Sequence, residues 1–332
     1  HTVASAQFLA ADAGRMPKAI VVGLPVEDPA DRQADFVPPV AGGSADTFTA
    51  FLRDELIPWV EARHRTRPFR VLIGHSLSGL FATYLLNSQP ELFSGYIAID
   101  PSLHVPLPSG EAYVTETDDL FERTPGLAAS WYMTLSNVHA LMLSAVRRLD
   151  ETLESAETSD QFRWAWKHMP TETHMSVPAR SVYDGLEWIF SGFDPSHFLE
   201  ELRADGAAVL PRIDEQYRRL SRRMGWEVPP DDGKIAEMAA QLGTLEGKVD
   251  DALEITRVLV DRSPGDWEVQ GYRGLVLLLV CDVDAARMHR EASLELARES
   301  LGPESLMVLA LIQAAEGFEN RVQRECVEPG RF

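Results

Sequence analysis

The stretch "RVLIGHSLSGL", Arg70 to Leu80, decides how this chain is read. Before the serine an apolar run, "FRVLIG" from Phe69 to Gly74, has the make-up of a buried strand. After it, "LSGLFATYLLNSQPELF" has helical spacing to about Gln89. Strand, abrupt turn and helix form the context in which a G-x-S-x-G motif lifts a nucleophilic serine clear of a sheet. Positions two before and two after the serine must be small, so that strand and helix can approach. Gly74 meets the first condition; the second position is Ser78, with Gly79 one further on. The plain alternative is an ordinary strand-to-helix connection whose serines cap the helix.

Outward from this stretch, apolar runs alternate with amphipathic ones from Pro17 to Phe193. "KAIVVGL" (Lys18 to Leu24), "SGYIAID" (Ser94 to Asp100), "SWYMTLS" and "FRWAWKHM" read as further strands, and "DTFTAFLRDELIPWVEARH" (Asp46 to His64) reads as a helix. Strands separated by helices imply crossover connections and a mostly parallel sheet covered on both faces, an α/β fold. Beyond Asp194 the spacing turns helical. "VDDALEITRVLVDRSPGD" from Val249 is echoed by "VDAARMHREASLELARES" from Val283, an offset of 34 residues (283 − 249), with Ala252 answering Ala286. That period resembles a tetratricopeptide repeat. The expected division is 1–193 for the α/β domain, 194–232 for a helical linker and 233–332 for the tetratricopeptide-like region.

Composition narrows the function. The chain has 332 residues, 45% of them hydrophobic, and a formal charge of −20, which opposes nucleic acid and anionic membrane surfaces as partners. A soluble, acidic protein of two parts is expected. Cys281 and Cys326 show no ligand spacing and are expected as free thiols, with no metal and no organic cofactor. No apolar run is long enough to span a bilayer, and no leader is visible before His1. Cytoplasmic, periplasmic and secreted locations all stay open, as does an N-terminally shortened chain.

If Ser76 is a nucleophile it needs a base. His75 adjoins it, but neighbours project differently from such a turn and His75 is expected to pack against nearby loops. His174, in "PTETHMSVP" between the last strand and the helix "ARSVYDGLEWIF", is the better base. The acid is less obvious: the loop after the penultimate strand, "LSNVHALMLSAVRR" from Leu135, holds no carboxylate before Asp150. Asp100, at the end of the strand "GYIAI", suits the order Ser76, Asp100, His174, although an Asp-Pro pair also opens turns. Glu172 is the alternative orienter. The segment from Val105 to Gly126 reads as a pocket cover or as a long surface loop.

These pieces in order, "GRMPKAIVVGLP…DR…DF", "FLRDELIPWVEARHRTRPFRVLIGHSLSGLFATYLL", "PELFSGYIAIDPSL" and "THMSVP…YDGLEWIF", resemble the esterase branch of the α/β-hydrolases. That branch includes siderophore, feruloyl and S-formylglutathione esterases, and some members carry a C-terminal repeat extension. The resemblance runs from about Arg15 to Phe190. It implies a nucleophile at Ser76, a base at His174 and ester hydrolysis through an acyl-enzyme, with the Leu77 N–H as an oxyanion donor. Members usually have several strands before the counterpart of Lys18, where this sequence has 17 residues. The helix "HTVASAQFLAADAG" then leaves only His1 for the loop that carries the second oxyanion donor, a loss worth on the order of 10²–10³ in rate. His104-Val105 replaces the aromatic pair that often follows "PSL". The expectation is a serine esterase acting on a small-molecule ester, with a protein partner or a second copy on its helical tail. The rival is a catalytically impaired hydrolase-fold scaffold that binds a partner through that tail, and transfer to an acceptor other than water is a third reading.

Overall fold

The computed structural model describes residues 1–12, 14–25, 28–138 and 140–327. Its contacts divide the chain into two units, His1–Phe193 with Leu220–Glu227, and Asp194–Arg219 with Val228–Phe332.

The first unit opens with α1 (Thr2–Gln7), prolonged by a π turn to Asp12. α2 (Pro29–Phe36) is capped by Asp28, whose carboxylate accepts from the Ala30 N–H at 2.7 Å. α3 (Ala45–Phe51) continues through a π turn into α4 (Ile57–Glu61). The sheet follows: β1 (Val71–His75), α5 (Leu77–Ser88), β2 (Gly95–Ile99), the short α6 (Leu120–Arg123), β3 (Ser130–Leu135), α7 (Ala140–Ser155), β4 (Arg163–His168) and α8 (Val177–Ile189). The four strands lie in the order β1-β2-β3-β4, all parallel. Every residue of β2 and β3 is buried, which is why they are mostly apolar rather than alternating. One face of these strands (Tyr96, Ala98, Trp131, Met133) packs on Leu80, Phe81 and Leu85 of α5 and on Val146 and Leu149 of α7. α8 covers the other, so closely that a Cβ on Gly185 would stand 2.8 Å from Ile97 Cδ1.

Two expectations for this unit need correction or choice. Lys18–Leu24 is not a strand: it joins no ladder among the described residues, and Ile20, Val21, Val22 and Leu24 are exposed. Apolar β-branched residues favour extension, but a strand exists only where a neighbour takes up its N–H and C=O groups, and β1 is paired on one side, to β2. The segment from Val105 to Gly126 is packed rather than loose, with Tyr113, Val114 and Leu120 buried.

The second unit is helical: α9 (Leu199–Asp205), α10 (Leu210–Met224, whose last turn belongs to the first unit), α11 (Asp232–Glu246), α12 (Val249–Arg262), α13 (Trp267–Leu278), α14 (Val283–Leu301) and α15 (Leu306–Val322). Asp231, Asp266, Asp282 and Ser305 cap α11, α13, α14 and α15 through their side-chain oxygens. Small residues let the helices approach: Gly274 lacks a Cβ that would lie 3.0 Å from the Ala286 carbonyl oxygen. The expected free thiols are instead a disulfide, Cys281–Cys326. Spacing along the sequence gave no sign of it. The pairing arises because the turn between α13 and α14 comes beside the segment following α15. No helix among the described residues is long and apolar enough to cross a membrane.

Candidate active site

All four strands run the same way, so the residues that follow them gather at one sheet edge. Ser76 follows β1, Asp100 follows β2, Ser136 follows β3 and His174 lies in the loop after β4. In parallel sheets this carboxyl edge is where ligands bind.

Ser76 has φ 62° and ψ −117°, a conformation costing an L residue about 1–3 kcal/mol. Its neighbours hold it there. A Cβ on Gly74 would fall 2.0 Å from the Ser78 carbonyl oxygen, so that position needs glycine, and one on Gly79 would stand 3.1 Å from Pro101 Cα, which leaves it little room. The Ser78 hydroxyl accepts from the His75 N–H at 2.9 Å and donates to the His75 carbonyl at 2.8 Å. The serine that stands where the motif calls for glycine therefore ties the turn together. The Ser76 N–H donates to Ile99 O at 2.9 Å, fastening the turn to the end of β2. Leu77 is the first residue of α5, where main-chain N–H groups lack helical partners and point outward.

Asp100 is fully buried and also has a positive φ, 42°. A buried carboxylate needs partners, and it has three: the Ser136 N–H at 2.5 Å, the Ser136 hydroxyl, and Nδ1 of His174 at 3.0 Å. Its own N–H donates to Thr134 O at 2.9 Å. The Asp-Pro pair does open a turn, but its side chain is directed to the imidazole. Glu172 is not: its carboxylate accepts from Ser176 Oγ at 2.6 Å and its carbonyl from the Asn137 N–H at 2.9 Å, which fixes the loop carrying His174.

The His75 ring lies on the His174 ring, centroids 4.3 Å apart, rather than against loops alone. Burial pushes the His75 imidazole below the ordinary histidine range, and a positive charge on His174 would add to the effect, so His75 is neutral near pH 7. Donor atoms of His75, Asp100 and His174 lie within 4.8 Å of one another, a grouping that could hold a metal ion. Two of these donors already meet in a hydrogen bond, the geometry of an acid–base pair. Among the described residues Ser76 Oγ has no hydrogen-bond partner, as is common before substrate draws nucleophile and base together.

Sequence reasoning missed Ser136. The loop after β3 carries no carboxylate, but its first residue supplies two donors to a carboxylate brought by β2, and a serine directly after a buried strand was the available signal.

A parallel sheet with crossover helices and a strained strand-to-helix turn at its carboxyl edge is the architecture of the α/β-hydrolases. Residues 1–131 match the family model described as "Putative esterase". The first unit thus has the α/β-hydrolase type of fold, and the match to the esterase model covers the first 131 of the 332 residues. The chain is 31% identical over 127 residues to the siderophore triacetylfusarinine C esterase of Aspergillus fumigatus, covering 34% of this chain and 44% of that protein. It is 38% identical over 63 residues to the ferri-bacillibactin esterase of Bacillus subtilis, covering 19% of this chain and 22% of that one. The chain thus spans less than half the length of these relatives. An IroE-like serine hydrolase from Shewanella oneidensis shares the fold, with TM-score 0.61 and 24% identity over 79% of this chain and 85% of that one.

Proposed function

We propose that the first unit is a serine esterase in which Ser76 attacks an ester carbonyl and His174 is the general base. The observation that carries this reading is the His174 Nδ1 contact at 3.0 Å to the buried Asp100, on the same sheet edge as the strained Ser76. With Nδ1–H donated to Asp100, the lone pair of the neutral imidazole sits on Nε2, the tautomer a general base requires. His174 takes the Ser76 hydroxyl proton as Oγ bonds to the carbonyl carbon, and the Leu77 N–H donates to the developing oxyanion. The imidazolium then protonates the leaving alcohol. Water, deprotonated in turn by His174, releases the acid and regenerates Ser76. The substrate class we assign is a small-molecule ester, and the names of the curated relatives make a siderophore ester the first to try. We assign residues 1–193 to this esterase domain, 194–232 to a linker and 233–332 to a tetratricopeptide-like binding region.

The test is labelling with a fluorophosphonate, which reports an activated serine whatever the substrate. The adduct is expected on Ser76 by peptide mass spectrometry and is expected to vanish in His174→Ala. Ser76→Ala is expected to lose turnover of short-chain esters and keep its circular dichroism spectrum. Wild-type turnover in that variant would overturn the assignment.

A further inference from the structure

His75 holds a buried polar atom that the esterase reading leaves without a task. Its Nε2 is shielded from solvent and has no hydrogen-bond partner among the described residues, whereas the carboxylate of Asp100 and Nδ1 of His174 beside it are both engaged. A buried ring nitrogen in that state has given up its bond to water for nothing visible, and a bound ion is one of the few explanations. The ring is neutral, so with its proton on Nδ1 it presents a lone pair at Nε2.

The neighbours of that nitrogen are metal ligands by type and by distance. One donor atom from each of His75, Asp100 and His174 lies within 4.8 Å of the others, and Asp100 Oδ2 is already 3.0 Å from His174 Nδ1. Zinc bonds of about 2.0–2.2 Å place two ligands of one tetrahedral ion roughly 3.4 Å apart, so an ion need draw the His75 ring in by only about 1 Å. The two imidazoles lie against each other, tilted by 40°, and the His174 side chain is 41% exposed, which gives an ion a way in. Two imidazoles and one carboxylate suit zinc and its first-row neighbours, whereas magnesium and calcium ask for an oxygen shell that this trio does not offer. The formal charge of −20 draws cations toward the chain.

We infer that His75, Asp100 and His174 form a reversible site for a divalent cation of the zinc type, and that the ion silences the base. In the bound form His75 ligates through Nε2, His174 through Nδ1 and Asp100 through Oδ2, with water in the fourth position. The proton that His174 Nδ1 donated to Asp100 moves to Nε2 of the same ring, so the imidazole stays neutral and releases none. Nε2 then carries a hydrogen where it had the lone pair that accepts the Ser76 proton. Zinc on Nδ1 and base catalysis at Nε2 therefore exclude each other. The binding stands on the three side chains alone, and its effect on turnover rests on the esterase reading.

The experiment is calorimetric titration of zinc chloride into the full chain freed of metal by chelation, paired with ester turnover at each zinc concentration. His75→Phe keeps a ring against His174 and removes the ligand nitrogen. Because even an outer-shell partner is worth about 10–100-fold in metal affinity, that variant is expected to bind zinc at least about tenfold more weakly, with its circular dichroism unchanged. Cobalt(II) in the same site is expected to show the intense visible bands of a four-coordinate ion in the wild type and not in His75→Phe. Zinc is expected to lower kcat in the wild type, a chelator to restore it, and His75→Phe to need correspondingly more zinc for the same loss. Ser76→Ala is expected to keep the zinc site. Equal zinc affinity in wild type and His75→Phe would overturn the site, and turnover indifferent to saturating zinc would overturn the silencing. A chain that binds zinc through His75 but turns over no ester even without zinc would count against the esterase reading and support the site.

Discussion

Asp100 depends on Ser136 as much as His174 depends on Asp100. Ser136→Ala keeps the main-chain donor and removes the hydroxyl, so Asp100 stays but is less firmly aimed. Loss of one hydrogen bond to a charged group is expected to lower kcat about tenfold or more with KM little changed. Asp100→Asn presents an amide in place of the acceptor of the Nδ1 proton and is expected to cost on the order of 10⁴ in kcat. Steady-state kinetics on one ester checks both, and equal kcat in Ser136→Ala and wild type would remove Ser136 from the positioning role. His75 gives a third prediction. Its neutrality matters because a positive charge develops on His174, 4.3 Å away between ring centres. His75→Lys, which sets a lasting charge there, is expected to lower kcat at least about tenfold. His75→Gln is expected to cost much less. At this scale the positions of Ser76 and Asp100 directly after strands, and of His174 in the loop after the last one, were legible from the order of polar residues and apolar runs. Ser136 and the His75 ring contact were not, because both depend on what a neighbouring strand brings alongside.

Within single elements, charge burial decides what can be tested. Glu268, in the first turn of α13, is half-buried; burial and the nearby Asp266, Asp231 and Glu237 push its carboxyl up to about 7, and Lys234 opposes them. The folded chain therefore holds a proton there between about pH 4.5 and 7 that the unfolded chain has released. Stability falls as pH rises through that window. After allowance for solvent screening the effect is on the order of 1–2 kcal/mol. Glu268→Gln is expected to flatten that part of the profile and to raise the melting temperature of the helical unit at pH 8. Urea unfolding followed by circular dichroism at several pH values checks it, and an unchanged slope would contradict it. A different case is Asp232, 5% exposed and held by Arg262, which also reaches Asp214 at 2.6 Å. Arg262→Met leaves that buried carboxylate without its charge partner, with only the Ser263 hydroxyl at 2.6 Å, and is expected to cost about 3 kcal/mol or more, and adding Asp232→Leu is expected to recover most of it. Helices such as α12 and α14 were readable from period alone. Lys18–Leu24 was misread because apolar composition states a preference for extension and says nothing about whether a partner strand lies beside it.

For the whole molecule the disulfide is the feature with the largest predicted consequence. Closing a loop with a sequence separation of 45 residues restricts the unfolded chain by about 4 kcal/mol in the chain-entropy account. Cys326→Ser is expected to lower the melting temperature of the helical unit and to speed hydrogen exchange along α15, leaving ester turnover unchanged; a variant with wild-type exchange would count against the clamp. The sequence by itself determined the alternation of strands and helices, the helical second half, and which polar residues fall at strand ends, because local periodicity and turn chemistry are written along the chain. Tertiary structure alone decided that Asp100 rather than Glu172 meets His174, that Ser136 holds it, that Lys18–Leu24 stays unpaired and that Cys281 finds Cys326. Each of those depends on a distance between segments far apart in the chain, and no local pattern of residues carries that distance.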